Sequence, residues 1–126
     1  MEGNKHVVLL VEDDKALNRA VVFKLEQQGH KVISTFRAED ALEVLRGDAK
    51  NADMIWLDLL LPGMNGIEFL AEIRKDPVLK DKKVVICSVS GRQESKSIAH
   101  ELGVADYLVK SDYALNDLVS KVVSYI

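Results

Sequence analysis

This sequence predicts an α/β fold, a parallel five-stranded sheet held between two helical layers. Three observations carry that expectation. Strand-like and helix-like stretches alternate five times along the 126 residues, and such alternation builds a parallel sheet with right-handed crossovers and helices on both faces. The strand candidates VVLLV, MIWL and VVICS are continuous apolar runs, as strands covered on both sides require. Gly29, Gly47 and Gly103 each fall just past a helical stretch, where the chain has to stop and turn.

Composition narrows the class further. With 48% apolar and 29% charged residues, residues 1–126 are expected to form a single domain with a real core. A net charge of -3 provides no field for gripping a phosphate backbone, so direct nucleic-acid binding is disfavoured. The one cysteine, Cys87, rules out an internal disulfide framework and a multi-thiolate metal site, and it sits in an apolar run as a small core residue. The opening MEGNKH is polar and no apolar stretch approaches the roughly 18 residues that span a bilayer. The expectation is a cytoplasmic chain with no membrane partner.

In order, VVLLV is the first strand and runs into Glu12, Asp13 and Asp14. Asp14 or Asp13 can cap the helix expected over 15–28, where acids complement the helix dipole; capping explains one acid, hardly three. That helix places Leu17, Ala20, Val21 and Leu25 on one stripe. His30 opens the next element and reads as a surface loop residue. KVISTF is the second strand, and Ala38, Ala41, Leu42 and Leu45 mark a helix over 38–46. ADMIWLD is the third strand, followed by the Pro62-Gly63 turn and a helix over 65–75 with Phe69, Leu70 and Ile73 inward. Arg74, Lys75, Lys80, Lys82 and Lys83 read as a solvated basic loop. VVICS is the fourth strand, and Ile98, Ala99 and Leu102 mark the next helix. DYLV is the fifth strand, and a last helix from about Asp112 carries Leu115, Leu118, Val119, Val122 and Ile126 on one face. Five strands fit the flavodoxin-like (βα)5 three-layer sandwich of order 2-1-3-4-5, whose site lies at the carboxyl edge between strands 1 and 3.

The polar residues fall on that edge. Glu12 and Asp13 follow strand 1, Asp58 follows strand 3, Ser88 ends strand 4 and Lys110 follows strand 5. Each alone has an ordinary reading: a solvated strand end or a helix cap. Together they make a site. Three carboxylates close together repel one another, and a hard divalent cation is the usual remedy; oxygen-only donors with no His or Cys favour Mg2+, with Mn2+ the other candidate. Lys110 can neutralise charge on a transferring phosphoryl group, Ser88 can donate to one of its oxygens, and a carboxylate such as Asp58 is a competent nucleophile for phosphoryl transfer.

On these residues the chain resembles the receiver domain of two-component response regulators, through VLLVEDD, LDLLLPGMNG, VVICS and ADYLVK, over nearly its whole length. The resemblance implies that Asp58 is the phosphoacceptor and Asp13 the principal metal-binding acid. It implies that Glu12 acts mainly through metal-bound water and that the backbone carbonyl of Leu60 completes the protein ligands. Ser88 matches the switch hydroxyl, Tyr107 the rotating aromatic and Lys110 the family's lysine. The implied role is a phosphorelay phosphoprotein, not an enzyme with a substrate of its own. Its phosphoryl donor would be a sensor histidine kinase or a histidine phosphotransfer protein, and its target a downstream protein or an output domain. The face made by the fourth helix, fifth strand and fifth helix would switch, and offers a surface for a homodimer. His6, His30 and His100 match none of the functional positions and are assigned surface or structural roles.

Three departures from the pattern stand out. Ser111 replaces the proline that usually follows the lysine, often through a cis bond, so the loop is expected to be trans or strained. Val89 replaces a small residue after the switch hydroxyl and narrows access for small phosphodonors. Leu60 and Ser90 occupy positions that help orient the hydrolytic water in such receivers; an apolar Leu60 cannot bond to it, which predicts a long-lived phosphoryl state. The competing readings are a pseudo-receiver that docks partners without phosphorylation, an aspartyl phosphatase and a flavin protein. The phosphatase lacks its second acid, since Leu60 stands two residues after Asp58, and the flavin reading lacks a phosphate loop after strand 1, where acids would repel the phosphate. No output domain follows the last helix, so a stand-alone receiver and a fragment of a longer regulator are both open.

Overall fold

The computed structural model describes residues 6–126. Met1 to Lys5, which carry most of the polar opening read as lacking a leader, lie outside the described residues. The elements are β1 (Val7–Val11), α1 (Lys15–Gln27), β2 (Lys31–Thr35), α2 (Ala38–Leu45), β3 (Met54–Leu57), α3 (Gly66–Lys75), β4 (Val84–Ser88), α4 (Gln93–Glu101), β5 (Asp106–Val109) and α5 (Leu115–Val123). All strand pairs are parallel and the sheet order is β2-β1-β3-β4-β5. This is the flavodoxin-like topology that the alternation predicts.

Alternate strand residues feed the two faces of the sheet. Leu9, Val11, Ile55, Leu57, Val84 and Ile86 pack against α2, α3 and α4. Their neighbours Val8, Leu10, Met54, Trp56, Val85 and Cys87 pack against Val21 and Leu25 of α1 and Leu118, Val119 and Val122 of α5. A strand buried on both faces has no polar side to show, which is why these runs read as continuous and not as alternating.

Register then decides where the site falls. Val11 is level with both Thr35 and Leu57, and Leu57 is level with Ile86. The next residues out, Glu12 and Asp58, therefore leave the sheet side by side, fixed by backbone bonds from Glu12 N–H to the Thr35 carbonyl (3.2 Å) and from Asp58 N–H to the Val11 carbonyl (3.0 Å). Ser88 is level with Val109, so Lys110 leaves β5 at the same edge.

Several expectations are corrected. His30 is buried, only 5% exposed, and not a surface loop residue: its Nδ1 accepts the His6 backbone N–H at 3.3 Å. Burial pulls its pKa below the ordinary value, with the charge of His6 acting the same way. The basic stretch is in large part structural. Arg74 donates to the carbonyls of Leu102 (2.6 Å), Lys82 (2.8 Å), Lys80 (3.0 Å) and Gly103 (3.2 Å), tying α3 to the end of α4 and the loop before β4. Lys82 Nζ donates to the carbonyls of Lys50 and Ala52, and Lys83 Nζ to that of Tyr125. The last helix begins at Leu115 instead of Asp112, because Lys110–Asp112 form a separate 3-10 turn. One expectation in this region holds: no cis peptide occurs among the described residues, so Lys110-Ser111 is trans, as the missing proline implied.

Candidate functional site

Two loops and one turn bring the polar residues together. After β1, the Asp14 carboxylate caps α1 by accepting the Leu17 N–H at 3.1 Å. With Asp14 so used, its own N–H is free to donate to Glu12 Oε2 at 3.0 Å. After β3, the chain bends at Leu59, whose carbonyl accepts both the Leu61 N–H (3.1 Å) and the Gly66 N–H (2.9 Å). The bend depends on glycine: a Cβ at Gly66 would lie 2.5 Å from the Asp58 carbonyl oxygen and 2.7 Å from Leu59 Cα. Asn65 and Glu68 then close a reciprocal capping box at the start of α3, each bond 2.9 Å.

Asp58 is 4% exposed. Its Oδ1 accepts the Leu60 N–H at 3.3 Å and its Oδ2 lies 3.5 Å from Lys110 Nζ. Lys110 Nζ also donates to Glu12 Oε1 at 2.5 Å. Glu12, Asp13 and Asp58 each offer a carboxylate oxygen within 4.8 Å of the others. Glu12 and Asp58 are buried while Asp13 is exposed, so the cluster has a solvent-facing side.

The electrostatics follow from burial. Desolvation raises the Glu12 pKa to about 7, against the opposing pull of the Lys110 hydrogen bond and the Asp14 N–H. Burial likewise raises Asp58 against the charge of Lys110. Burial alone would lower Lys110, but its bonds to Glu12 and Asp58 outweigh it and hold the ammonium above its ordinary pKa. With all three acids ionised, three carboxylates against one ammonium leave two positive charges wanting, which is what one divalent cation supplies. The all-oxygen donor set suits Mg2+ or Mn2+.

Of the residues singled out in the sequence, Glu12, Asp13, Asp58 and Lys110 meet in one cluster. Leu60 reaches the same cluster through its N–H, and no donor among the described residues takes up its carbonyl. Ser88 lies at the same edge, fully buried, with its hydroxyl accepting the Ser90 N–H at 3.2 Å and no hydrogen bond to Asp58. Tyr107 is half-buried on the α2–α3–α4 side, and its hydroxyl donates to the Ser90 carbonyl at 2.6 Å. Ser88 and Tyr107 thus hold the same residue of the β4–α4 loop. Val89 and Leu60 are exposed, each one or two residues past a buried polar strand end, Ser88 and Asp58 respectively.

Sequence reasoning missed Asn18. Its buried carboxamide donates to the Glu12 carbonyl at 3.0 Å and the Thr35 carbonyl at 3.1 Å, and accepts from Ser34 Oγ at 2.6 Å. It therefore fastens α1 to the backbone that carries the first acid. The signal was present: Asn18 lies three and seven residues before Val21 and Leu25, on the buried stripe itself.

Residues 8–123 match the family model described as the response regulator receiver domain. Among curated relatives, the transcriptional regulatory protein AfsQ1 of Streptomyces coelicolor is 34% identical over 82% of this chain and 44% of the relative. The phosphate regulon transcriptional regulatory protein PhoB of Escherichia coli is 30% identical over 91% of this chain and 49% of the relative. The chain spans about half the length of these curated relatives. Among solved structures, the Mn(2+)-bound form of response regulator Rcp1 superposes with a TM-score of 0.80 at 36% identity, covering 94% of this chain and 90% of that one. The phosphorylated cyanobacterial phytochrome response regulator RcpA superposes with a TM-score of 0.82 at 34% identity, covering 96% and 91%.

Proposed function

The chain belongs to the response regulator receiver domain family, and from that premise we propose that residues 1–126 act as one phosphoaccepting domain whose acceptor is Asp58. The observation that carries the reading is the pairing of a buried Asp58 with Lys110 at 3.5 Å inside a cluster of three acids. A lone buried carboxylate would be costly; one built to receive a charged group needs this surround.

A carboxylate oxygen of Asp58 attacks the phosphorus of a phosphohistidine on a kinase or phosphotransfer protein. The P–O bond forms as the P–N bond breaks, and the donor imidazole leaves with the electron pair and takes up a proton. Lys110, already between Glu12 and Asp58, offsets charge on the incoming oxygens. Asp13, Asp58, Glu12 and the Leu60 carbonyl would hold Mg2+ or Mn2+, which when bound draws charge from the phosphoryl oxygens.

The new group adds about -1.5 to -2 charges and fresh acceptor oxygens. The Ser88 hydroxyl, whose oxygen accepts the Ser90 N–H, donates its own proton to the phosphoryl group and moves toward it, which shifts the loop whose Ser90 carbonyl Tyr107 holds. The surface of α4, β5 and α5 changes with it and is presented to a downstream protein, an output domain or, once phosphorylated, a second copy. The modification favours that state only by its differential contacts.

The test is incubation with Mg2+ and acetyl phosphate, followed by mass measurement and site mapping, on the wild type and Asp58→Asn. One phosphoryl group on the wild type and none on the variant is expected. Undiminished labelling of the variant at another residue, or no labelling of the wild type by either acetyl phosphate or a phosphohistidine-bearing donor protein, would sink the proposal.

A further inference from the structure

The flank formed by α1 and β2 carries an apolar surface that no described residue covers. Phe23 of α1 is 61% exposed and Phe36, just past β2, is 38% exposed. With half-buried Val22 they line a groove of about 330 Å³ that also includes Arg19 and Glu26. Clustered apolar exposure of this kind marks a contact surface more often than scattered single residues do.

The order of residues on the helix says what the partner is. At about 100° per residue, Arg19, Val22, Phe23 and Glu26 fall within one arc of roughly 100° on α1. Arg19 and Glu26 are equally far from the midpoint between Val22 and Phe23, and they carry opposite charges. A two-fold axis through that midpoint, running α1 antiparallel to its copy, therefore sets Arg19 against Glu26 of the second copy and repeats the pair by symmetry, with Val22 and Phe23 meeting between them. Neither Arg19 nor Glu26 forms an ion pair with another described residue. A stripe that is complementary to itself when reversed is the signature of an isologous contact.

We propose that this face docks a second copy of the same chain, α1 antiparallel to α1, with Phe36 flanking the apolar centre. The groove is already shaped for it. Asn18, on its floor, is held by three hydrogen bonds, so little ordering is needed on association. One helix face and one flanking aromatic make a contact at the small end of the specific range, so the dimer is weak, with a Kd on the order of tens of micromolar. It belongs to the unphosphorylated chain and does not depend on Asp58 being the acceptor.

Sedimentation equilibrium of the unmodified protein, from about 10 μM to 1 mM at low salt, tests this. Arg19→Glu and Glu26→Arg, both at exposed positions, each place like charges together twice and are expected to weaken association about tenfold; the double variant restores it to within about threefold. Phe23→Ser is expected to abolish association, with circular dichroism unchanged. A wild type that stays monomeric throughout overturns the proposal, as does a dimer indifferent to either charge reversal or a double variant that fails to recover. So does a dimer that Ile98→Glu on α4 dissolves while Arg19→Glu leaves it intact, since that places the contact on the other face.

Discussion

Replacing Gly66 with alanine should damage both stability and the Asp58 site, and the structure sets the scale. The added Cβ would stand 2.5 Å from the Asp58 carbonyl oxygen, 2.7 Å from Leu59 Cα and 2.8 Å from Leu59 Cδ2. Two of those atoms are backbone, so no rotamer change relieves the overlap and the loop itself must move. Overpacking of this kind costs about 1–3 kcal/mol, against a gain of at most about 1 kcal/mol from alanine's lower chain entropy when unfolded. Overlap with two backbone atoms puts this site at the upper end of that cost, so the expected net loss is about 2 kcal/mol, read as a lower urea midpoint at unchanged slope. Gly47→Ala is the matched control: its Cβ meets only the Glu43 carbonyl, at 4.0 Å, and it should be neutral or slightly stabilising. Because the strain lands on Asp58, the proposed acceptor, labelling by acetyl phosphate should slow in Gly66→Ala under conditions where the variant is fully folded. A Gly66→Ala protein within 0.5 kcal/mol of the wild type, a threshold taken as about the size of ordinary surface effects, would refute the close-approach argument.

Other outcomes follow from the same contacts. Arg74→Ala strips hydrogen bonds from four carbonyls and should cost about 2–4 kcal/mol, with Arg74→Lys recovering only part because one ammonium cannot reproduce the fork; unfolding curves that superpose on the wild type would contradict it. His30 has a folded pKa below its unfolded value of 6.5, so its contribution is intact above that pH and is lost as pH falls through 6.5 toward the folded pKa. The wild type should therefore lose stability over that window more steeply than His30→Asn, and equal slopes would count against a buried neutral imidazole. The Leu60 side chain, 57% exposed two residues after Asp58, offers no hydrogen bond to an attacking water. Leu60→Asn should shorten the life of the phosphorylated form, and an unchanged decay rate would remove Leu60 as its cause.

The sheet order was legible from the five-fold alternation of strand-like and helix-like stretches, and the convergence of Glu12, Asp13, Asp58 and Lys110 from where the apolar runs stop. In a parallel sheet whose neighbours are in register, polar residues that end separate runs must emerge along one edge. The roles of His30, Asn18 and Arg74 were not legible, for a common reason. Each is a polar side chain taken out of water by backbone partners that lie 24, 17 or 28 residues away in the chain, such as His6, Thr35 and Leu102. Periodicity reports which face a residue occupies but not what waits there to bond with it. The last helix was started three residues early because Asp112 reads as an ordinary first-turn acid; it instead ends the 3-10 turn over Lys110–Asp112, and α5 begins after Ala114.

Trp56 offers an optical consequence. It is the sole indole in the chain and lies 1% exposed in β3, two residues before Asp58, on the side of the sheet covered by α1 and α5. Its emission therefore originates in one dry environment and should shift to the red when that layer opens, giving a single-chromophore readout of unfolding. Tyr107 lies on the opposite side of the sheet, so a colour change in the indole reports loosening of the α1–α5 layer more directly than rotation of that phenol.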